Sequence, residues 1–118
     1  MLTLMQCDIV RSCSQAIRTL LVELQDDDEL FTSANTLARV EHYLLVMAQT
    51  LAHLPPALHQ RLPQIDWDGW QMLHSLLAYD IQPRREEVWY GLSALMPATL
   101  QLIDELRRRE PVWFEIGY

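Results

Sequence analysis

The sequence predicts an all-α protein, built as one antiparallel bundle of four to five helices. The first observation is composition: Leu, Ala, Gln, Glu and Arg, which favour helices, are plentiful, whereas only 3 of the 118 residues are Gly. The second is spacing, because apolar residues recur at intervals of three and four along several long segments. Half of the residues are hydrophobic, which is enough for one core in a chain of this length. We place the helical domain at residues 1–110 and treat residues 111–118 as an aromatic C-terminal tail.

The first helix is predicted over residues 3–25. The acidic run QDDDE, from Gln25 to Glu29, ends it, and we interpret this run as a solvated turn because it lacks the spacing and the glycine of a calcium-binding loop. Cys7 and Cys13 lie on this helix, about 240° apart around its axis at roughly 3.6 residues per turn. They are therefore not expected to bridge each other, and free thiols are typical of a cytoplasmic protein.

The second helix is predicted to start at Thr32 or Ser33, either of which can cap it. Its apolar positions alternate in spacing between three and four residues, the pattern of bundles and of helix-pair dimers. Those positions are Leu37, Val40, Leu44, Met47, Leu51 and Leu54. Pro55 and Pro56 stop this helix and begin a short third helix that reaches about Leu62.

Two further helices follow. Asp66 is placed to cap the next one, and Pro83 is expected to end it. The last long helix is predicted from about residue 85 to residue 109, with a kink at Pro97. The aromatic tail after it is expected either to dock on a neighbour or to leave an exposed adhesive patch.

The charge balance argues against general binding of nucleic acid. Nine arginines and no lysine face sixteen acidic residues, for a formal net charge of −7, and an acidic chain repels phosphate on average. The only arginine clusters in the sequence are Arg84–Arg85 and Arg107–Arg109, and arginines near a helix C-terminus are explained by the negative end of the helix dipole. Neither a signal peptide nor a membrane segment is predicted, because no apolar run approaches ~18 residues.

No metal or cofactor site is predicted. The four histidines have no pairwise spacing typical of a zinc site, and the chain has no glycine-rich phosphate loop; the histidines are His42, His53, His59 and His74. His53 and His59 flank the Pro-Pro turn and are expected to face solvent. Trp67, Trp70 and Trp89 are more typical of a core or an interface than of base stacking, because few cations lie near them.

Three segments together resemble the HepT-like branch of the HEPN superfamily. They read TLARVEHYLLVMAQTLAHLP, LPQIDWDGWQMLHSLLAYDI and EEVWYGLSALMPATLQLIDEL, and the resemblance covers about residues 8–106. Its most specific parts are P-x-I-x-W, beginning at Pro63, and the Val88-Trp89 pair. The family consists of small all-α proteins, usually encoded beside a minimal nucleotidyltransferase in toxin–antitoxin pairs. The resemblance implies a HEPN-type bundle that forms a homodimer.

In this family the helix after P-x-I-x-W normally reads Met-Arg-Asn and then His-x-Tyr. The Arg and His form a ribonuclease pair across the dimer cleft, where Arg stabilises phosphate charge and His moves a proton, and the Tyr accepts adenylate from the partner. Met72 matches, but the Arg position falls on Leu73 and the Asn position on His74. The His position falls on Ala78 and the Tyr position on Asp80. No Arg anywhere in the chain is followed four to six residues later by His.

The positions that are usually polar on the preceding helix fall on Leu45, Ala48 and Gln49, so the cleft is expected to be more apolar than in the family. We therefore interpret the chain as a catalytically degenerate HepT-like protein that binds itself, a nucleotidyltransferase or an active HEPN relative. The candidate interface comprises Trp70, Leu73, His74, Leu77, Ala78, Ile81, Trp113 and Phe114. The alternative is an active, metal-independent RNA endonuclease toxin with a relocated site, for which His74 and Asp80 are the fallback residues. RNA contact is not favoured.

Overall fold

The computed structural model describes residues 2–115, and within this range the chain is entirely helical and irregular, with no strand. The elements are α1 (Leu2–Leu21), α2 (Asp27–Thr32), α3 (Ala34–Ala52), α4 (Pro56–Arg61), α5 (Trp67–Ala78), α6 (Arg85–Tyr90), a π-helical turn (Gly91–Leu95), α7 (Met96–Arg109) and α8 (Val112–Glu115). The predicted all-α class is confirmed. Because α6, the π turn and α7 follow one another without a break, the framework consists of four long helices.

Specific contacts show that neighbouring long helices run antiparallel. The Gln6 side-chain amide, near the start of α1, donates to the His53 carbonyl at the end of α3 at 3.0 Å. The Trp70 indole, near the start of α5, donates to the Thr99 hydroxyl of α7 at 2.9 Å. Further along α5, a Cδ atom of Leu73 lies next to Gly91. These contacts determine which long helices lie next to each other around the core.

The apolar seam of α3 is used inside the domain. Five of its six predicted positions are buried, and Leu37 is half-buried. The helix packs against α1 on one side and α5 on the other. The sequence was compatible with a helix-pair dimer along this seam. Such a dimer would have to expose the core, because the seam is already used inside the domain.

Asp66 caps α5 as predicted. One of its carboxylate oxygens accepts the Gly69 backbone N–H at 2.9 Å, and the other accepts the Tyr90 hydroxyl at 2.7 Å. These two hydrogen bonds, that from Tyr90 first, lower the pKa of the Asp66 carboxyl. A Cβ atom at Gly69 would lie 2.5 Å from the capping carboxylate, so a larger residue here would displace the cap.

The lowered pKa of Asp66 predicts a specific acid sensitivity. The ionised cap stabilises the folded state above the unfolded pKa of about 3.9, and that stability is lost as the pH falls through the lower folded pKa. Asp66→Asn keeps a capping side chain but cannot titrate, so its free energy of unfolding should decline less between about pH 5 and pH 2. Urea unfolding across this range measures the difference, with Asp68→Asn in the same first turn as the control. Identical pH slopes for Asp66→Asn and the wild type would contradict the assignment.

The acidic run is solvated as predicted, with four of its five residues exposed, but only its first two residues are irregular and the other three are helical. Helix α1 already ends at Leu21, and the run starts α2 at Asp27. Asp26 accepts the Glu29 N–H at 2.8 Å, and the Glu29 carboxylate accepts the Gln25 N–H at 2.9 Å. This reciprocal pair is a capping box, in which carboxylates satisfy the free N–H groups of a first turn.

Helix α5 ends earlier than predicted, at Ala78 and not near Pro83. Asp80 takes a left-handed backbone conformation with φ 51°, and the Ile81 N–H donates back to the Leu76 carbonyl at 2.9 Å. This is a Schellman-type stop, in which Asp80 occupies the position usually held by glycine. Aspartate tolerates the left-handed region better than most residues, and the stop places Ile81 outside the helix.

The last long helix spans residues 85–109 as predicted, and its distortion lies just before Pro97. Within the π turn Gly91–Leu95, the Met96 N–H donates to the Gly91 carbonyl. A π turn inserts one extra residue and is a recognised cause of helix irregularity. Pro97 follows immediately and, lacking an N–H, makes no such bond of its own.

The start of the predicted tail packs on the domain. Phe114 is buried and α8 contacts α1 and α7, while the Trp113 indole donates to Glu110 at 3.1 Å. Residues 116–118 lie outside the described range. The tail up to residue 115 therefore does not project toward a neighbour, because its own domain offers the apolar surface that Phe114 covers.

The two cysteines are unbridged, as predicted, and the structure buries both of them. Burial raises the pKa of the Cys7 thiol to about 11, with smaller effects of opposite sign from nearby charges. Burial likewise raises the pKa of Cys13. Neither is a reactive thiolate at neutral pH. In the part of the chain that the structure describes, none of the helices has the length and apolar character to cross a membrane.

Candidate functional site

The residues singled out from the sequence lie on α5 and in the two segments that flank it. Three of the eight candidate interface residues are core residues: Trp70 is 2% exposed, Leu73 1% and Phe114 3%. They cannot form a surface in the folded monomer, so this part of the interface prediction is corrected. Each points inward because the face of its helix that it occupies meets a neighbouring helix. The remaining five, namely His74, Leu77, Ala78, Ile81 and Trp113, are half-buried or exposed.

Leu73 occupies the position at which the family resemblance implies a catalytic arginine. A Cβ atom placed on Gly91 would meet a Cδ atom of Leu73 at 2.8 Å and one of Leu44 at 3.8 Å. Leu73 is thus enclosed between α3 and the π turn, and Gly91 is needed for its close approach. This site accommodates an apolar side chain and offers no water to a guanidinium group.

A cavity of about 360 Å³ lies between α3, α4 and α5. It is lined by Ala48, Leu51, Ala52, His59, Trp67, Trp70, Gln71 and His74. Ala48, at a position where the resemblance implies a polar residue, is part of this lining. Its predominantly apolar wall, with a few polar groups, is typical of binding cavities in general.

His59 is fixed within this cavity by two contacts. The prediction that it faces solvent is therefore wrong. Its ring stacks on the Trp67 indole with centroids 4.0 Å apart and planes 6° from parallel. Its Nε2 donates to the Leu51 carbonyl at 2.9 Å. The Pro55 turn folds α4 back against α3, which brings His59 onto α5; His53, by contrast, is exposed as predicted.

His74 and Asp80, the fallback catalytic residues, are not brought together. His74 is half-buried at the edge of the cavity, and within residues 2–115 it makes no hydrogen bond or ion pair. Asp80 instead accepts from Arg84 at 2.7 Å. Arg84 also donates to both carboxylate oxygens of Glu41, at 2.7 and 3.0 Å, and Glu41 and Asp80 raise its pKa further above the usual range. No acid–base pair therefore forms around His74 among the described residues.

Sequence reasoning missed an exposed apolar stripe on α5, which we call the outer stripe and define as Met72, Leu76 and Tyr79. Met72 is 59% exposed and Tyr79 76%, while Leu76 is half-buried. The three lie at helical spacing, with Tyr79 as the C-cap of α5, on a face that is turned away from the buried Trp70. The helical spacing of these three residues is visible in the sequence. It was overlooked because the same helix carries another apolar stripe, which faces inward.

Comparison of the chain with protein-family models, curated protein sequences and solved structures finds no match in any of the three. The HepT-like resemblance therefore stays a prediction from the sequence. Within the described residues, no group of three or more His, Cys, Asp or Glu side chains could hold a metal ion. The geometry and chemistry of α5 and its surroundings are thus the basis for any statement about function.

Proposed function

We propose that the protein is a non-catalytic HepT-like protein of the cytoplasm that acts by binding other proteins through α5. The single observation that carries this proposal is the burial of Leu73, 1% exposed, at the position where the resemblance implies the catalytic arginine. A ribonuclease of this type needs a cation at the scissile phosphate and a proton carrier within reach of it. At the position where the resemblance implies the cation, this chain has the buried Leu73. At the position where it implies the proton carrier, this chain has Ala78.

The outer stripe supplies a surface for this binding. A methionine, a leucine and a tyrosine in one exposed row are an apolar surface that is costly to leave in water. Tyr and Met are enriched in protein interfaces, where a few such side chains contribute most of the binding energy. The proposed partner is a second copy of this chain, with a minimal nucleotidyltransferase or an active HEPN relative as the partner in a mixed complex.

Self-association is tested by light scattering after gel filtration, over a range of protein concentrations. The wild type is expected to be a dimer, and Met72→Glu is expected to dissociate it, because the charge must be desolvated in the interface. Met5→Glu is a matched control, since Met5 is 58% exposed but lies on α1. Dimers that persist in Met72→Glu and Tyr79→Glu would show that the outer stripe is not the interface. A monomeric wild type at all concentrations would contradict self-association.

The rival function is an RNA endonuclease with a rebuilt site. The observation in its favour is His74 at the edge of a cavity of about 360 Å³ that also contains His59. Histidine is the commonest proton carrier near neutral pH. Against it, His59 is already committed to the Leu51 carbonyl at 2.9 Å, and the lining includes no arginine.

A further inference from the structure

A second groove lies between α1 and α7, and its lining shares no residue with the cavity beside α5. It has a volume of about 300 Å³ and is lined by Arg11, Ser14, Gln15, Arg18, Pro97, Leu100, Gln101, Asp104 and Arg108. On each helix these positions are separated by one, three or four residues, so each set forms one face. The groove is therefore a continuous channel between two regular helical surfaces.

The groove concentrates positive charge in an acidic protein. Three of the nine arginines line it, against one carboxylate, although the net charge of the whole chain is −7. Arg11 is paired with Asp104. Arg18 and Arg108 have no ion-pair partner among residues 2–115. Two guanidinium groups thus remain available to an anion. The sequence concealed this cluster because its members are up to 97 positions apart along the chain.

The chemistry of the groove is that of a donor site. Ser14 on its wall is 1% exposed, so the accessible polar groups of the groove are mainly the side chains of its longer residues. Guanidinium groups can only donate hydrogen bonds, which suits an anion rich in acceptor oxygens.

The positive charge extends along the groove and is not confined to one point. Arg11 and Arg18 lie two turns apart on α1, roughly 10 Å along its axis. Because α7 runs antiparallel to α1, with Asp104 opposite Arg11, Arg108 lies toward the Arg11 end. The two unpaired guanidinium groups therefore lie toward opposite ends of the groove, with the Arg11–Asp104 pair between them, and this arrangement suits a chain of phosphates better than a single phosphate.

We propose that this groove binds a small ligand carrying two or three linked phosphate groups, either free or as part of a nucleotide. Arginine is suited to phosphate because its planar donors form paired, charge-assisted hydrogen bonds. A volume of about 300 Å³ is the size of a small-molecule site. A long polyanion such as RNA would also meet the acidic remainder of the protein, which opposes its binding.

The proposal is tested by titrating the full chain with inorganic tripolyphosphate at fixed ionic strength, using calorimetry and backbone amide NMR shifts. Saturable binding at one site is expected, with shifts confined to α1 and α7. Arg18→Gln and Arg108→Gln should each raise Kd about tenfold or more, as loss of a charge-assisted contact implies. Arg107→Gln and Arg39→Gln, which remove an exposed charge outside the groove, should leave Kd within about twofold.

Each outcome of this experiment decides the proposal. A nucleoside triphosphate that binds at least as tightly as tripolyphosphate, with the same sensitivity to Arg18→Gln, identifies a nucleotide as the source of the phosphates; weaker binding identifies the free phosphate chain. No saturable binding of either probe would overturn the proposal. So would equal weakening by the control variants, or binding of an RNA oligonucleotide but not of tripolyphosphate. The result is independent of the outer stripe, because Met72→Glu should bind tripolyphosphate as the wild type does.

Discussion

Leu73→Arg is expected to destabilise the protein by about 4 kcal/mol, because it places a charge in a closed part of the core. Leu73 is 1% exposed and is in close contact with the backbone at Gly91. Urea unfolding followed by circular dichroism measures the change. If the arginine variant does not fold, Leu73→Ala serves instead, with an expected loss of about 3 kcal/mol from the cavity it leaves.

Met5→Arg is the matched control for this experiment. Met5 is 58% exposed on α1, outside both the core and the outer stripe, so the stability should change by no more than about 0.5 kcal/mol. The comparison also tests the link to the proposed function, because Leu73 lies where the HepT-like resemblance implies an arginine. A loss of less than about 1 kcal/mol in Leu73→Arg would show that a side chain at this position can reach solvent. The claim that the site has become core would then fail.

Arg84→Gln is expected to cost about 2 to 3 kcal/mol, because it leaves the Glu41 carboxylate poorly solvated and without its partner. The side chains of Arg84 and Glu41 are only 11% and 15% exposed, and two hydrogen bonds join them. The same arginine holds Asp80, so it ties the stop after α5 to α3. Adding Glu41→Gln removes the unpaired carboxylate, so the double variant should recover part of the lost stability. Chemical unfolding of the two single variants and the double variant gives the coupling energy between Arg84 and Glu41.

Arg85 provides a control at the next position in the chain. Its ion pairs with Asp27 and Asp28 and its contact with the Phe31 ring, 4.6 Å from the ring centroid, are exposed to water. Surface ion pairs of this kind contribute little, so Arg85→Gln should leave the unfolding midpoint almost unchanged. Equal losses in Arg84→Gln and Arg85→Gln would contradict the special role assigned to the buried pair.

The long helices could be predicted from the sequence because apolar spacing reflects burial directly. The alternating spacing from Val40 to Leu54 identified the buried face of α3, and Asp66 identified the start of α5. The short elements and the helix ends were harder to predict from the sequence. Asp80 stops α5 in a conformation usually reserved for glycine, and the run at Asp26 resembles a solvated loop until its hydrogen bonds are seen.

The site was predicted less completely than the fold, because a sequence does not reveal which of two apolar stripes faces inward. Trp70 and Leu73 were predicted at an interface, yet they are the core stripe of α5, and the outer stripe lies on a face that is turned away from the buried Trp70. Contacts between segments that are far apart in the sequence could not be predicted either. The stacking of His59 on Trp67 depends on how α4 folds back, and the grouping of Arg18 with Arg108 depends on the packing of α1 against α7.

Incubation of the purified protein with a mixed RNA pool tests the central claim, that this chain binds and does not cleave. The wild type and His74→Ala should leave the RNA equally intact at high protein concentration, because no arginine or carboxylate is paired with His74 among the described residues. Circular dichroism and the unfolding midpoint confirm that both proteins are folded. Cleavage by the wild type that disappears in His74→Ala would contradict the account and establish a rebuilt ribonuclease site beside α5.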